Sequence, residues 1–201
     1  MIIRENKVEN FKKFAKCLLS NLNCEVRCSS VLRNDCAIAA SIIYGRSCLS
    51  MGRREGKTTF ALIHGIRQAL KRSGSNIVIY VANESCIKIC QERMAGMLNS
   101  LYLVSHTCGN KYQLINDSTI TIRQSIDTET NYDLVIIDDI CWFSDEQIRG
   151  LKEIKDKCDN MIIVTSDTMN KRDAYNFFDD VKNDNSFTFV RFENLEDEDE
   201  V

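Results

Sequence analysis

The chain has 201 residues, of which 44% are apolar and 27% are charged, and its formal net charge is −3 at pH 7. This size and apolar content allow one substantial hydrophobic core, so we expect a single domain. The sequence contains no run of 18 apolar residues and no secretory signal, which argues against a membrane partner and predicts an intracellular protein.

The ten cysteines are spread along the chain rather than concentrated in a short scaffold. Without an export signal, this distribution favours free thiols over disulfides. Two spacings, Cys24-x₃-Cys28-x₇-Cys36 and Cys86-x₃-Cys90, superficially resemble metal-binding patterns. Neither has the Cys-x₂-Cys pair or the nearby histidine typical of zinc sites, so we favour core or surface cysteines over a structural zinc.

The negative net charge comes from the C-terminal end. Six of the eight residues 193–200 are acidic, and the rest of the chain carries 26 basic and 23 acidic residues. We predict one domain over residues 1–192, mildly basic and able to contact nucleic acid, followed by an acidic tail at 193–201. The tail is either a disordered, solvated terminus or a segment that docks on a basic partner.

Helical and strand patterns surround a short polar segment in the first part of the chain. Residues 7–22 and 35–44 have apolar residues at helical spacing, and 46–51 are a short strand candidate. Helical spacing returns at 59–70. The residues before 59 therefore connect a strand to a helix, which is the arrangement that a phosphate-binding loop requires.

Residues 49–58 read Leu-Ser-Met-Gly-Arg-Arg-Glu-Gly-Lys-Thr and are the most informative segment. In a loop that ends in Gly-Lys-Thr, backbone N–H groups surround a triphosphate, Lys57 contacts its β- and γ-phosphates, and Thr58 binds Mg²⁺. The usual spacing is not met, because Met51 stands where the first glycine is expected and Gly52 follows it. The alternative is a basic surface turn before a helix, but the flanking elements favour a nucleotide site.

Predicted strands and helices alternate along the rest of the chain. They are a strand at 76–82, a helix at 84–101, a hairpin of 111–115 and 118–123, a strand at 133–138, a helix at 145–156, and strands at 161–165 and 186–192. This alternation predicts an α/β fold with a mostly parallel sheet and helices on both faces.

Polar residues end two of the apolar strands. Asp138 and Asp139 come at the carboxyl end of one strand, where one carboxylate can hold Mg²⁺ and the other can polarise the water that attacks a γ-phosphate. Thr165 and Ser166 end the next strand and can hydrogen-bond to the γ-phosphate or to that water. Each pair alone also fits an ordinary strand terminus or helix cap. Following the loop in this order, they favour a P-loop NTPase.

Together these segments resemble the ATPase domain of the large terminase subunit, the DNA-packaging motor of tailed phages and herpesviruses. The resemblance covers about residues 35–180. Its most specific feature is the loop, because these motors commonly replace the first glycine and place an arginine, here Arg53, three residues before Gly-Lys. The other segments that carry it are 78–84, 91–93, 118–122, 134–143, 163–170 and 175–178.

The resemblance implies a RecA-like fold and a role for each site residue. Arg53 is the arginine finger that contacts the γ-phosphate in cis, and Arg54 takes this role if the register differs. Lys57 and Asp139 are the other catalytic residues, and Thr58 and Asp138 hold Mg²⁺. Thr165 and Ser166 form the coupling motif, which senses hydrolysis. The residues implied to bind ATP are Gly52, Arg54, Glu55, Gly56, Lys57, Thr58, Thr59, Thr165 and Ser166.

The function implied by this resemblance is ATP hydrolysis that powers DNA packaging, with double-stranded DNA, a homo-oligomeric ring, and a portal or nuclease partner. The family usually has glutamate where this chain has Asp139, so we expect slow hydrolysis or a site completed by a partner subunit. Larger members carry a C-terminal nuclease domain, and we do not expect the residues after 192 to form one.

Two other functions stay open. A helicase-like or repair ATPase on the same core usually needs a second RecA-like domain, for which 201 residues leave no room. A nucleotide-binding module that does not hydrolyse ATP would use Asp139 and the acidic tail to serve a partner. Fold alone does not decide among the three functions.

Overall fold

The computed structural model describes residues 23–27, 45–50, 56–100, 103–166 and 172–193, with the backbone alone at 23–27, 100 and 192–193. The helices predicted at 7–22 and 35–44 lie outside these residues. So does the acidic segment 194–201, whereas Glu193, which the sequence assigned to the tail, is the last residue of a strand.

Nine strands and four α-helices occur in the described residues. The strands are β1 (Asn23–Arg27), β2 (Arg46–Ser50), β3 (Asn76–Tyr80), β4 (Val104–Cys108), β5 (Lys111–Leu114), β6 (Thr119–Arg123), β7 (Leu134–Asp138), β8 (Met161–Thr165) and β9 (Thr188–Glu193). The helices are α1 (Lys57–Lys71), α2 (Glu84–Ser100), α3 (Asp145–Lys155) and α4 (Arg172–Asn183), with a 3₁₀ turn at Ile140–Trp142. None of these helices combines the length and the apolar character that crossing a membrane would require.

These strands form one sheet in the order β1-β9-β2-β8-β7-β3-β6-β5-β4. All neighbours from β1 to β6 pair in parallel, and only β5 and β4 are added antiparallel at one edge. β8 lies between β2, which precedes the loop, and β7, which ends in an aspartate. The prediction of a mostly parallel α/β sheet is confirmed.

Two hydrophobic cores lie on opposite faces of this sheet. In β3, Ile77 and Ile79 point into a core shared with α1 and α2, whereas Val78 and Tyr80 point into a core shared with α3 and α4. Side chains alternate along a strand, so a strand buried on both faces is a continuous apolar run, as the sequence of β3 is. Helices therefore cover both faces, as predicted.

Most predicted elements agree with the structure within a few residues. The hairpin is confirmed, since β5 and β6 pair antiparallel. β1 and β4 were not predicted, because neither gives a clear apolar pattern: β1 reads Asn-Cys-Glu-Val-Arg, and β4 is mostly exposed and polar. α4 was also missed, although its buried residues follow a helical spacing: Ala174, Phe177 and Val181.

α3 fixes the loops at the carboxyl edge of the sheet through one side chain. Ser144 and Gln147 form a capping box at the start of this helix. The buried Gln147 amide also donates hydrogen bonds to the carbonyls of Val81, Ala82 and Gln124, at 3.2, 3.2 and 2.7 Å. The segments that follow β3 and β6 are thus tied to the start of α3.

His64 of α1 is a buried titratable group at the opposite end of the sheet. Its ring stacks on Phe60 with centroids 5.6 Å apart, and its Nε2 lies 3.3 Å from the Gln68 side-chain nitrogen. Its buried Nδ1 has no hydrogen-bond partner. Burial, reinforced by the charges of Arg67 and Lys71, lowers the pKa of His64 to about 4. The folded protein therefore keeps this imidazole neutral.

We predict that His64 makes the fold sensitive to acid. The unfolded chain binds a proton near the ordinary pKa of 6.5 and the folded chain only near 4, so acidification favours unfolding. The contribution of His64 to the free energy of unfolding should fall by about 3 kcal/mol from pH 7 to pH 4. In denaturant unfolding at both pH values, the change in the free energy of unfolding from pH 7 to pH 4 should therefore be about 3 kcal/mol less favourable in the wild type than in His64→Gln.

His106 on the exposed β4 offers the matched control. His106→Gln should keep the pH dependence of the wild type, because this side chain is exposed to solvent in the folded protein. Equal pH dependence in His64→Gln and the wild type would contradict the prediction.

Candidate functional site

The register of three parallel strands brings the predicted polar residues to one edge of the sheet. Ser50 at the end of β2 is paired with Thr165 at the end of β8, and Asp138 at the end of β7 is paired with Val164. The Asp139 N–H donates to the Val164 carbonyl at 2.8 Å. The carboxyl ends of β2, β8 and β7 thus lie side by side, which is where parallel sheets bind ligands.

α1 begins at this same edge. Gly56 precedes the helix with φ 80° and ψ 18°, a left-handed conformation that glycine adopts without the Cβ penalty. Its carbonyl accepts the Phe60 N–H at 2.8 Å. The first N–H groups of a helix have no partner within the helix and carry a partial positive charge. The start of α1 can therefore bind an anionic group.

Asp138 is a buried carboxylate with an incomplete set of partners. Its side chain is only 6% exposed, and Oδ1 is buried without a hydrogen-bond partner. Burial raises the pKa of Asp138 to about 6, and the charge of Asp139 adds to this. The Thr58 hydroxyl, hydrogen-bonded to the carboxylate, acts in the opposite direction, as do Lys57 and Arg93. An additional cation at this carboxylate would offset the cost of its burial.

Asp139 leaves the strand in a left-handed conformation, with φ 56°. This conformation is uncommon for a residue other than glycine, although aspartate tolerates it better than most. The turn brings Asp139 Oδ2 to 3.5 Å from the ammonium group of Lys57, whose side chain is 7% exposed. The predicted catalytic carboxylate and the predicted phosphate-binding lysine therefore form an ion pair in this structure.

The other oxygen of Asp139 faces the end of β8. Oδ1 accepts a hydrogen bond from the Cys141 thiol at 2.9 Å and one from the Ser166 hydroxyl at 3.4 Å. The Cys141 sulfur also lies 2.8 Å from Ser166 Oγ and 3.5 Å from Thr165 Oγ1. All of these side chains but Asp139 are buried. The predicted coupling motif is thus in contact with the predicted catalytic carboxylate.

Two residues at this site were missed by sequence reasoning. Cys141 was grouped with the other cysteines as a core or surface thiol, because nothing in its spacing marks it. Arg93 of α2 donates to the Thr59 hydroxyl at 3.2 Å. Its partner is 34 residues away in the sequence, so only the packing of α2 beside α1 brings the two together.

The structure thus gathers most of the predicted site residues and leaves four without a description. Gly56, Lys57, Thr58, Thr59, Asp138, Asp139, Thr165 and Ser166 meet at the carboxyl edge. Gly52, Arg53, Arg54 and Glu55 lie outside the described residues, and their roles stay predictions. The described cysteines Cys48, Cys86, Cys90, Cys108, Cys141 and Cys158 are free thiols, as expected.

The donors at Asp138 fit a small divalent cation. Mg²⁺ prefers oxygen ligands and is usually held by only one or two protein side chains together with substrate phosphates and water. The unpartnered, buried Oδ1 of Asp138 and the neighbouring Thr58 hydroxyl supply such oxygens. In the described part of the chain, no group of three or more histidine, cysteine, aspartate or glutamate side chains could hold a metal by itself.

Comparison with solved structures gives matches to bacteriophage large terminases. The large terminase of bacteriophage HK97 matches with a TM-score of 0.59 at 19% identity, over 81% of this chain and 38% of the terminase. The chain shares the fold of the matched part of this large terminase. A large terminase from a thermophilic bacteriophage, solved in complex with ADP, matches with a TM-score of 0.57 at 8% identity, over 80% of this chain and 44% of that one.

A helicase shares the same core. The UvsW helicase of bacteriophage T4 matches with a TM-score of 0.55 at 11% identity, over 92% of this chain and 67% of the helicase. At these identities the similarity establishes the fold, and this chain spans less than half the length of the two terminases. No protein-family model and no curated protein matches the sequence.

Proposed function

We propose that this chain is an ATP hydrolase that drives the movement of double-stranded DNA during viral DNA packaging. The observation that carries the proposal is that Lys57, the aspartates at the end of β7 and the hydroxyls at the end of β8 meet beside the start of α1. A helix N-terminus, a lysine and adjacent carboxylates are the groups that phosphoryl transfer to water needs. The fold shared with terminase ATPase domains supports the same conclusion.

The residues of this chain would act on ATP in a definite order. The triphosphate would lie at the start of α1 and attract Lys57, which is now paired with Asp139. As Lys57 turns to the phosphates, the Oδ2 atom of Asp139 becomes available to a water molecule. Asp139 would then orient this water and accept its proton during attack on the γ-phosphate.

Thr58 and Asp138 are the residues that would hold Mg²⁺. When bound, the ion neutralises charge on the phosphates during transfer. Thr165 and Ser166 would sense the reaction, because Ser166 contacts the same carboxylate that positions the water. Arg53 would stabilise the γ-phosphate in cis, and Arg54 is the alternative for this role.

The partners follow from the motor function. We propose double-stranded DNA as the track, a ring of identical subunits, and a portal or nuclease partner. The domain would extend to Glu193, the last residue of β9, with the acidic segment 194–201 after it.

A helicase-like ATPase is the second candidate. It is favoured by the match to UvsW, which covers more of this chain than either terminase match does. Strand separation by the purified chain, without stimulation of ATP hydrolysis by intact duplex DNA, would favour this function over packaging.

The test of the proposal is phosphate release from ATP with and without duplex DNA, in which the adjacent arginines form a matched pair. We expect Arg53→Ala to lower the rate by about 100-fold or more, because the γ-phosphate loses a preorganised positive charge. Arg54→Ala should lower the rate by much less than Arg53→Ala, because Arg54 is implied to bind ATP but not to contact the γ-phosphate. A large loss in Arg54→Ala alone would move the arginine finger to that position.

Absence of phosphate release in the wild type, with DNA and Mg²⁺ present, would overturn the proposal. Tight ATP binding measured by calorimetry in that case would favour a regulatory nucleotide-binding module instead.

A further inference from the structure

We propose that Cys141 is a positioning residue, whose thiol orients the Asp139 carboxylate and links it to the hydroxyls at the end of β8. The inference rests on the proposed function, in which Asp139 accepts the proton of the attacking water. It assigns a role to a side chain that lies outside the loop, the aspartate pair and the coupling motif.

The contacts of the Cys141 sulfur single it out among the described cysteines. It donates to Asp139 Oδ1 at 2.9 Å, lies 2.8 Å from Ser166 Oγ and 3.5 Å from Thr165 Oγ1, and lies 3.8 Å from the Ser166 carbonyl oxygen. The residue is 6% exposed. The thiol therefore stands between the catalytic carboxylate and both hydroxyls of the coupling motif.

The hydrogen atoms available at this cluster determine how it is connected. A thiol has one hydrogen, and the Cys141 thiol donates it to Asp139. The short contact with Ser166 must then use the serine hydroxyl as donor, either to the sulfur or to Asp139 Oδ1 itself. A rotation of the Ser166 hydroxyl changes the donors at the carboxylate without moving the backbone of either strand.

The two oxygens of Asp139 are held by different groups. Oδ2 faces Lys57 and Oδ1 faces Cys141. When a triphosphate attracts Lys57, the carboxylate loses its ion pair and would be free to rotate about its side-chain bonds. The thiol keeps Oδ1 in place, so Oδ2 remains directed toward the phosphates. Loss of such orientation lowers the rate of the chemical step more than it lowers substrate binding.

The left-handed turn at Asp139 makes this contact possible. With φ 56° at Asp139, the 3₁₀ turn begins at the next residue. The Cys141 side chain, two residues after Asp139, therefore contacts the Asp139 carboxylate. Cys48, which is fully buried in β2, packs among apolar side chains and has no role in the proposed reaction. It therefore provides a matched control for the loss of a buried thiol.

The test measures kcat and KM for ATP in Cys141→Ala, Cys141→Ser and Cys48→Ala, each with the wild-type Asp139 and with Asp139→Asn. We expect Cys141→Ala to lower kcat by about 10-fold and to leave KM within about twofold. Cys141→Ser keeps a donor and should retain kcat within about threefold. Cys48→Ala should retain the wild-type kcat. In the Asp139→Asn background, Cys141→Ala should cause no further loss, since the two residues act as one unit.

Three results would overturn the role of Cys141. They are a wild-type kcat in Cys141→Ala, an equal loss in Cys48→Ala, and a loss that persists undiminished in the Asp139→Asn background.

The S–H stretching band in the Raman spectrum tests the contact without any turnover. The difference between the wild type and Cys141→Ala isolates the Cys141 band, which should shift when Asp139 is replaced by asparagine because its acceptor loses its charge. An unchanged band would overturn the inference. If the wild type releases no phosphate but the band shifts, the hydrolase proposal fails while the thiol contact stands.

Discussion

Replacement of Lys57 by alanine is expected to abolish phosphate release, with a fall in rate of at least about 100-fold. The lysine is 7% exposed at the first position of α1, and in this structure its ammonium group lies 3.5 Å from Asp139. Without it, the γ-phosphate would lose its positive partner and the two adjacent aspartates would repel the substrate. ATP affinity, measured by calorimetry in the presence of Mg²⁺, should fall together with the rate.

Lys71 at the other end of α1 provides the control. It is exposed and lies at the opposite edge of the sheet, so Lys71→Ala should keep both the rate and the affinity of the wild type. If Lys57→Ala retained full activity, the assignment of the active site to this edge would be wrong.

Replacement of Asp138 by asparagine should have opposite effects on activity and stability. Phosphate release should fall by at least about 100-fold, because the amide cannot replace a carboxylate that holds Mg²⁺. The free protein should become more stable by about 1–3 kcal/mol at pH 7.5, because burial raises the pKa of Asp138 to about 6 and the ionised form is therefore costly there. Denaturant unfolding without nucleotide measures this gain.

The pH dependence of this stability difference identifies its cause. The pKa of Asp138 is raised from the ordinary 3.8 to about 6 in the folded protein, so this carboxyl group makes the fold progressively less stable as the pH rises from about 4 to about 6. The gain in Asp138→Asn should therefore be present at pH 7.5 and disappear near pH 4. A variant less stable than the wild type at pH 7.5 would show that the buried carboxylate is already compensated.

Asp133, just before the start of the same strand, is the matched control. Its carboxylate is 46% exposed and accepts a hydrogen bond from the Asn76 N–H at 2.8 Å. Asp133→Asn should bring no gain in stability, since no buried charge is removed. ADP with Mg²⁺ should stabilise this variant and the wild type against unfolding, but should stabilise Asp138→Asn much less.

The elements that position the site were largely predictable because their signals are local. The apolar runs of β3, β7 and β8 are buried on both faces, and a strand of this kind can be predicted from its own sequence alone. The polar residues at their carboxyl ends are equally visible. α1 could be placed by its apolar spacing and by the glycine before it.

The elements that were not predicted have no such local signal or only a weak one. β4 forms the exposed edge of the sheet and is stabilised mainly by pairing with β5, so its side chains need not be apolar. β1 acquires its place by pairing with β9, which is far away in the sequence. α4 does have a helical pattern, but only three buried residues carry it, so the signal is short.

By itself, the sequence determined that a lysine, two aspartates and two hydroxyl residues would lie at strand or helix ends, because hydrophobic periodicity and turn chemistry are properties of short segments. Only the tertiary structure decided which of these ends are neighbours. The order β2-β8-β7 and the left-handed turn at Asp139 bring Lys57 and Cys141 to opposite oxygens of one carboxylate. Contacts between segments distant in the chain depend on strand order and backbone direction, which no local pattern encodes.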